Sequence, residues 1–504
     1  MTSYALLGIC GLILFINIIV GLKRGLFRSG LRLLTVIPAA IVAFILANKL
    51  ATPLSTLVMP RVEKLIAGGG ALASFFAEHP EAREAVVVLC KMLAAPLAFF
   101  LLYWVLKLLT LIVYKILVGC FSVEGPKKGW LRIPGGFLTG ILIGLISAMV
   151  WIIPIMGYCD TVDAAVTTLA ETSESDTADM QQKQQDYIQP VLETPGASVL
   201  YEAVGQKVFD GMASATWNNQ KTTLRAEMQS LAVLAGNATT LTGQKPAEWD
   251  SKQSVAVQNM ASSIGASPML STLSSTILHV AAVSWQENDQ IFKIAKPELD
   301  GSAELILDGF LEVFSTSDAS NVGGDLTSFA NVFGLMVRYH IFEQMADGEE
   351  NTLIENMATT GFLAETQAEL KKNPRMKPVN DAIVAAGMRA VISQLGAPEN
   401  YRETCIDLMD DITDTLKSVE RNPDGTLNKD ALADTLATVL DANDVEVADA
   451  TVDLVAECLA DRFTPEELDN MTTDEMIDAL IGVFSDVDGA AEAAARAGLT
   501  TTEP

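Results

Sequence analysis

Residues 420–431, with the sequence ERNPDGTLNKDA, come closest in side-chain type and spacing to a metal site. Aligned with a calcium-binding loop, Asn422, Asp424 and Gly425 take the third, fifth and sixth positions, which need oxygen ligands and a turn glycine. The twelfth position normally supplies a bidentate glutamate, but here it is Ala431. Because this closing residue provides two oxygen ligands, its loss is severe, and we predict a turn between acidic helices with no metal.

The other residues that could perform chemistry are scattered along the chain. His79, His279 and His340 are far apart and have no metal-ligand spacing. The HExxH, GxSxG and phosphate-binding-loop motifs of hydrolytic and nucleotide chemistry are missing from the sequence. Adjacent carboxylates such as Asp410 and Asp411 are ordinary in so acidic a chain, and general acid–base catalysis needs a pocket that shifts a pKa. We therefore predict a protein that is not an enzyme and that uses no cofactor.

The charge distribution divides the chain into two unlike parts. The first 157 residues carry 14 Lys and Arg against 5 Asp and Glu, whereas the remaining residues carry 20 against 57. This change in composition marks a boundary near Tyr158. The acidic excess would repel phosphate groups, so we predict no nucleic-acid partner for the second part, whereas cationic peptides or basic envelope components are compatible in sign.

The first part contains four long apolar runs. Residues 5–22 alone form an uncharged run of 18 residues, about long enough to cross the core of a bilayer. Pro38 and Pro96 fall inside two of the runs, where neighbouring helices in a membrane tolerate proline. We predict membrane spans at about 4–22, 26–48, 92–118 and 133–158.

Lys and Arg are concentrated in the first and third connections between these spans. By the positive-inside rule these connections are cytoplasmic, which places the N-terminus and everything after Tyr158 outside the cell membrane. The positive charges follow the first span, so this span is predicted to be an uncleaved anchor and not a signal peptide.

The acidic part has repeated helical periodicity and helix start signals. Thr464 with Glu467, and Thr472 with Glu475, have the spacing of capping boxes. Cys405 and Cys458 are each predicted on an apolar helical face. Two alternatives stay open for them, a disulfide between the two residues or two buried free thiols. The predicted fold class is all-α, a four-span helical membrane domain followed by a large all-helical acidic extracytoplasmic domain. The predicted divisions are the membrane domain 1–158, a polar linker or stalk 159–200, an acidic helical domain 201–485 and a flexible tail 486–504.

Small residues recur at every fourth position of the last predicted span. In lipid, such a row lets another backbone approach closely, which replaces the missing hydrophobic driving force between helices. We interpret the row as a packing surface against the first span, which has its own small residues at Gly8 and Gly11. A homo-oligomer interface through span four, or the lining of a pore, is the alternative. The row consists of Gly136, Gly140, Gly144 and Ala148.

Arg24, Arg28 and Arg32 are also spaced by four, which predicts one helical face at the start of the second span. Cations in this position anchor a helix to lipid headgroups at the cytoplasmic surface. The alternative is a docking surface for a cytoplasmic partner.

These residues resemble the colicin V production protein (CvpA) family of bacterial inner-membrane proteins. An uncharged first span ends in Gly21-Leu-Lys-Arg-Gly25 with Arg28 following, and a basic linker precedes a last span that is rich in glycine. The resemblance covers residues 1–158. It implies four spans, a G-x-x-R-G element as cytoplasmic motif, and a role in toxin production or export and in envelope physiology, without a catalytic reaction.

The sequence therefore favours a non-enzymatic membrane scaffold whose partners are the lipid bilayer and unknown envelope proteins. Two alternatives stay open. One is an oligomeric channel or transporter subunit formed by the third and fourth spans. The other is a membrane-tethered enzyme with its site in the acidic domain, which would need clustered carboxylates with shifted pKa values.

Overall fold

The computed structural model describes residues 2–66, 79–120, 132–173, 177–286, 301–343, 362–383, 417–423 and 425–442, with six single positions between 452 and 467. Within these ranges the chain is mostly helical. Several predictions fall outside the described residues, namely those on Asp410 and Asp411, Asp424, Cys405 and Cys458, the Thr472 capping box and the tail 486–504.

The first described part consists of three long helices, α1 (Thr2–Ile66), α2 (Pro80–Cys120) and α3 (Arg132–Thr172). All three are long and apolar enough to cross a membrane. Large apolar side chains cover their outer surface: Leu34 is 70% exposed, Leu108 63% and Leu138 61%. Apolar surface of this extent marks contact with lipid or with a partner, so the helices have the character of a multi-pass membrane protein.

Helix α1 is interrupted at Gly25, which has φ 72° and ψ 174°. This backbone conformation is essentially restricted to glycine. The hydroxyl of Ser29 donates to the carbonyl oxygen of Gly21 at 3.4 Å, although a straight helix would separate these residues by about 12 Å. The chain therefore bends sharply at Gly25, and α1 consists of a first leg, residues 2–24, and a second leg, residues 26–66.

The long helices pack with antiparallel registers. Tyr103 of α2 lies opposite Ser147 of α3, with their hydroxyl oxygens 3.3 Å apart. Further along, the Tyr158 hydroxyl donates to the carbonyl oxygen of Leu93. The order of these two pairs is reversed between the helices, as antiparallel packing requires. Their shared core includes the fully buried side chains of Met92, Ile143, Ile152 and Met156.

Helix α3 continues without a break through Tyr158 to Thr172. The segment that follows packs back onto it, and the ring of Phe209 meets that of Tyr158 edge to face at 5.4 Å. The first compact unit of the chain extends to Thr242 and also includes Ser262–Thr276 and Asp318–Ser320. The compositional boundary at Tyr158 therefore coincides with neither the end of a helix nor the end of a compact unit.

A short β-hairpin interrupts the helices, with strands β1 (Ser214–Trp217) and β2 (Gln220–Thr223) paired antiparallel. Asn218 and Asn219 form its two-residue turn with φ of 48° and 62°, the left-handed conformations that a tight hairpin turn requires. The prediction of a purely helical acidic domain is wrong at this point. Strands of four residues are too short for apolar alternation to stand out in the sequence.

The remaining described elements are short to medium helices. Residues Gln184–Ile188 and Tyr201–Gly205 form π-helical turns, and Pro246–Glu248 and Pro374–Met376 form 3₁₀ turns. The α-helices are α4 (Ala178–Lys183), α5 (Gln189–Leu192), α6 (Ala197–Leu200), α7 (Gln206–Met212), α8 (Leu224–Thr242), α9 (Ser251–Ala266), α10 (Pro268–Gln286), α11 (Gly301–Ser315), α12 (Val322–Arg338), α13 (Phe362–Leu370) and α14 (Lys429–Ala442).

The second compact unit has an aliphatic and aromatic core of its own. Val313, Met376 and Val379 are buried there, and the ring of Phe333 packs 5.3 Å from both Trp249 and Phe342. The pair Ser251–Ala266 and Pro268–Trp285 would count as a further apolar span only if taken as one broken helix, because it is bent by 112°. The described chain thus has three membrane-span candidates, or four with this pair.

Candidate functional site

The first leg of α1 and helix α3 meet through backbone atoms at a glycine seam, defined here as Gly21, Gly136, Gly140 and Gly144. A Cβ added at Gly140 would lie 2.8 Å from the carbonyl oxygen of Asn17, and one at Gly144 would lie 3.1 Å from Cα of Leu14. Such distances to rigid backbone leave no room for a side chain. The seam therefore lets two helices approach more closely than any other residue type would permit.

The partner surface of this seam differs from the one expected. A Cβ on Gly8 or Gly11 would meet no atom within 4 Å, so these two glycines are not the packing surface of the first leg. The antiparallel register instead brings residues 14–21 opposite the glycines of α3. Ala148, the last small residue of the predicted row, is buried in the bundle core.

The single face predicted for Arg24, Arg28 and Arg32 does not form. The break at Gly25 places Arg24 on the first leg, whereas Arg28 and Arg32 lie on the second. Spacing by four describes one face only in an uninterrupted helix. Arg24 and Arg32 nevertheless stay within electrostatic range of each other.

These two arginines belong to a cation–aromatic cluster, defined here as Arg24, Arg32, Lys107, Tyr103, Trp104 and Tyr114. The guanidinium carbon of Arg24 lies 5.3 Å from the centre of the Tyr114 ring. The Lys107 ammonium lies 4.7 Å from the Trp104 ring and 5.4 Å from the Tyr103 ring. These distances suit cation–π attraction. The cluster joins α1 to α2 inside the bundle.

Ser147 of α3 closes the inner end of this cluster. Its hydroxyl accepts a hydrogen bond from Lys107 at 3.3 Å and lies 3.3 Å from the Tyr103 hydroxyl. Arg32 lies within electrostatic range of both Tyr103 and Lys107. Both legs of α1 and helix α2 thus contribute one cation each to the cluster, and Lys107 alone contacts the hydroxyl of α3.

Beyond Tyr158, Asp160 and Asp163 of α3 bind residues of the segment that follows this helix. These contacts are called the Asp160–Asp163 network here. Asp160 accepts a hydrogen bond from the Tyr201 hydroxyl at 2.9 Å and pairs with Arg225 of α8. Burial raises the pKa of the Tyr201 hydroxyl, with Asp210 as a further cause, and burial lowers the pKa of Arg225.

The second half of this network is built of amides. Asp163 accepts from Gln184 at 2.8 Å and from Gln189 at 2.6 Å, and Gln184 also donates to the Thr167 hydroxyl at 2.9 Å. Gln184 and Tyr201 each begin a π-helical turn, a local distortion that often serves a specific contact. The network ties α8 and two π turns to one continuous helix.

The residues expected to be chemically inert take structural positions. Asn422 and Gly425 form a tight turn in which Arg421 bridges to Leu427, and Gly425 has φ 85°. Within the described part of the chain, no three His, Cys, Asp or Glu side chains are grouped to hold a metal. The expected Thr464 capping box is confirmed, because the Thr464 backbone donates to Glu467 at 2.9 Å and the Glu467 backbone donates back to the Thr464 hydroxyl at 3.3 Å.

Each of the three histidines contacts a different residue. Nδ1 of His79 lies 3.5 Å from Oε1 of Glu81, and Nδ1 of His340 lies 3.4 Å from Oε2 of Glu343. His279 contacts the carbonyl oxygen of Ser315 through Nδ1.

Two buried carboxylates were not anticipated from the sequence. Glu227 is 1% exposed and accepts hydrogen bonds from Thr222, at 2.6 Å, and from Ser267. Asp325 is fully buried and accepts from Ser317 at 2.6 Å. In a chain so rich in acids, no local signal separates these two from the solvated majority.

The cation–aromatic cluster had a usable signal. Lys107 is one of two charges, with Lys115, inside the apolar run 92–118 and follows Tyr103 and Trp104 at helical spacing. An ionisable residue within a membrane helix is a functional candidate by default. Comparison of the chain with protein-family models, with curated proteins and with solved structures finds no match.

Proposed function

We propose that the chain is a four-span protein of the cytoplasmic membrane, of the colicin V production type, with the two legs of α1 as its first two spans. The break at Gly25 supports this, because it divides an apolar stretch of more than 50 residues into two legs. The cations that follow the first leg favour a cytoplasmic position for this turn. The N-terminus and the residues after Tyr158 then lie outside.

We propose further that the protein is a non-enzymatic scaffold with a role in toxin production or export, or in envelope physiology. The observation that carries this proposal is the unbroken helix Arg132–Thr172, which the glycine seam binds at one end and the Asp160–Asp163 network binds at the other. A rigid element of this kind suits a device that holds other proteins at a fixed place outside the membrane.

The partners of this scaffold are the lipid bilayer and envelope proteins. The acidic residues after Tyr158 favour partners that are cationic and disfavour nucleic acid. The glycine seam is filled by the first leg of the same chain, so the seam favours packing within one chain over a homo-oligomer through span four.

Protease treatment of intact protoplasts tests the orientation. The full-length chain carries a flexible tag after Pro504, and blots follow both the tag and the region after Tyr158, with a cytoplasmic protein as the lysis control. We expect both signals to disappear while the lysis control persists. Protection of the tag until lysis would place the acidic region in the cytoplasm and overturn the envelope scaffold.

A truncation tests the scaffold role itself. Cells that lack the protein are complemented with the full chain or with residues 1–242, the first continuous stretch of the first compact unit. We expect only the full chain to restore export of a peptide toxin and resistance of the envelope to detergent. Equal restoration by residues 1–242 would assign the function to the membrane bundle alone.

A further inference from the structure

The cation–aromatic cluster has three positive charges and no carboxylate to balance them among the described residues of the bundle. Arg24, Arg32 and Lys107 form no salt bridge to Asp or Glu in this part of the chain. Arg32 and Lys107 instead lie within electrostatic range of other cations. Nη1 of Arg24 is buried and lacks a hydrogen-bond acceptor among the described residues. Like charges held close together repel each other, and partial burial strengthens this repulsion.

The described carboxylates of the three long helices are too distant to compensate. Glu84 precedes Lys107 by about 34 Å along α2, and Asp160 follows Ser147 by about 20 Å along α3, at a rise of 1.5 Å per residue. The aromatic rings offset part of the cost through cation–π contacts with Arg24 and Lys107. No described carboxylate of the bundle offsets the remaining charge, and this leaves the cluster suited to an external anion.

The donor set fits a phosphate group. Two guanidinium groups can form forked pairs of hydrogen bonds with phosphate oxygens, and the lysine supplies a point charge. The hydroxyl of Ser147, which contacts Lys107, adds a neutral donor at the inner end. Basic pockets between membrane helices are known to hold anionic headgroups.

The surroundings favour a lipid over a free ion. Leu34, Leu108 and Ile112 flank the cations on the second leg and on α2, and each is more than half exposed. Acyl chains can lie against these side chains while the headgroup reaches the cluster. We propose that the cation–aromatic cluster binds the phosphate of an anionic phospholipid between the membrane helices.

Lipid retention by the full-length protein tests this proposal. The protein is reconstituted with equal amounts of phosphatidylglycerol and phosphatidylcholine, extracted in an uncharged detergent, and its bound lipids are counted by native mass spectrometry. We expect at least a tenfold preference for phosphatidylglycerol in the wild type. The double variant Arg32→Gln/Lys107→Gln should lose this preference, whereas Lys115→Gln should keep it. Lys115 is a matched control, because it is an exposed cation on the same helix, two turns further along.

Three results of the retention measurement would overturn the proposal. They are a wild type with no headgroup preference, a double variant that keeps the preference, and a Lys115→Gln variant that loses it. Competition separates the two sources of phosphate, since displacement of the lipid by millimolar inorganic phosphate would mean a site for free anions. The wild-type preference is measured without any substitution, so the proposal stays testable even if the double variant does not fold. Steady anion flux through vesicles that contain the wild type would instead assign the cations to a conduction path.

Discussion

Buried charge is handled in opposite ways in two regions of the molecule. In the membrane bundle, Lys107 and Arg24 face aromatic rings, and Lys107 also contacts one hydroxyl. In the second compact unit, the fully buried Asp325 meets the guanidinium of Arg375 at 3.1 Å and accepts from Asn373 at 3.1 Å.

The difference teaches what each arrangement is built to do. The Asp325 carboxylate has its hydrogen-bonding capacity satisfied by a cation, an amide and a hydroxyl of the same chain. It therefore stabilises the packing of the elements that carry these groups. Cations without carboxylates are incomplete, and their stability depends on something that binds from outside. Substitution of a partnered charge, of a glycine in a backbone contact and of an unpartnered charge should therefore change the stability of the protein by different amounts. The first two should destabilise it, and the last should stabilise it.

The largest effect is expected at the partnered charge. Asp325→Ala leaves Arg375 half-buried without its anion, which typically costs about 3–5 kcal/mol. We expect amide hydrogen exchange in α12 of the full-length protein to accelerate by roughly a hundredfold or more, since 1.4 kcal/mol corresponds to a factor of ten. Asp381→Ala is the control, because it breaks a surface i,i+4 pair with Lys377 and should change little. Equal amide exchange rates in α12 of the two variants would mean that the Asp325 ion pair does not stabilise this unit.

The next effect is expected at the glycine seam. In Gly140→Leu the new side chain meets the backbone of Asn17 and Ile18, so the variant should unfold more easily by about 2–3 kcal/mol in detergent. Gly11→Leu introduces the same side chain on the first leg, where a Cβ meets nothing within 4 Å, and should stay within about 0.5 kcal/mol of the wild type. Thermal unfolding followed by helical circular dichroism compares them, and similar midpoints would argue against the seam.

The smallest effect is expected at an unpartnered carboxylate, and it should be stabilising. Burial raises the pKa of Asp210, and its Oδ1 is buried without a donor among the described residues. A raised folded-state pKa means that the ionised form is penalised at neutral pH and that this penalty fades as pH falls towards the ordinary value of 3.8.

Asp210→Asn should therefore raise the thermal midpoint at pH 7 by roughly 1–3 °C, with the advantage over the wild type shrinking steadily towards pH 4. Midpoints of both proteins across this pH range measure the difference. A midpoint below that of the wild type at pH 7 would show that Asp210 has a stabilising partner.

The sequence predicted features that depend on local pattern. The Thr464 capping box forms with the expected hydrogen bonds. The interruption of α1 at Gly25 lies between the first two predicted spans. The apolar runs placed the long helices, but α3 extends to Thr172, because a helix continues wherever its backbone and packing allow and not where its side chains stop being apolar.

Features that depend on register between helices could not be predicted. The glycine row indicated a close approach, yet its partners, Leu14, Asn17 and Gly21, follow from an antiparallel alignment that no local signal specifies. The spacing of Arg24, Arg28 and Arg32 predicts one face only if the helix is unbroken. The break at Gly25 divides these residues between two legs, and the spacing alone does not indicate such a break. The burial of Asp325 likewise follows from residues about 50 positions away, such as Asn373 and Arg375.

The continuous course of α3 also makes it a lever. The portion from Tyr158 to Thr172 projects about 21 Å beyond the predicted span at 1.5 Å per residue. Membrane helices tilt to match the thickness of the surrounding bilayer. A change in tilt of about 10° swings Thr172 sideways by roughly 4 Å relative to Tyr158. Under the proposed topology, local thinning or stretching of the lipid would be converted into displacement of Thr172.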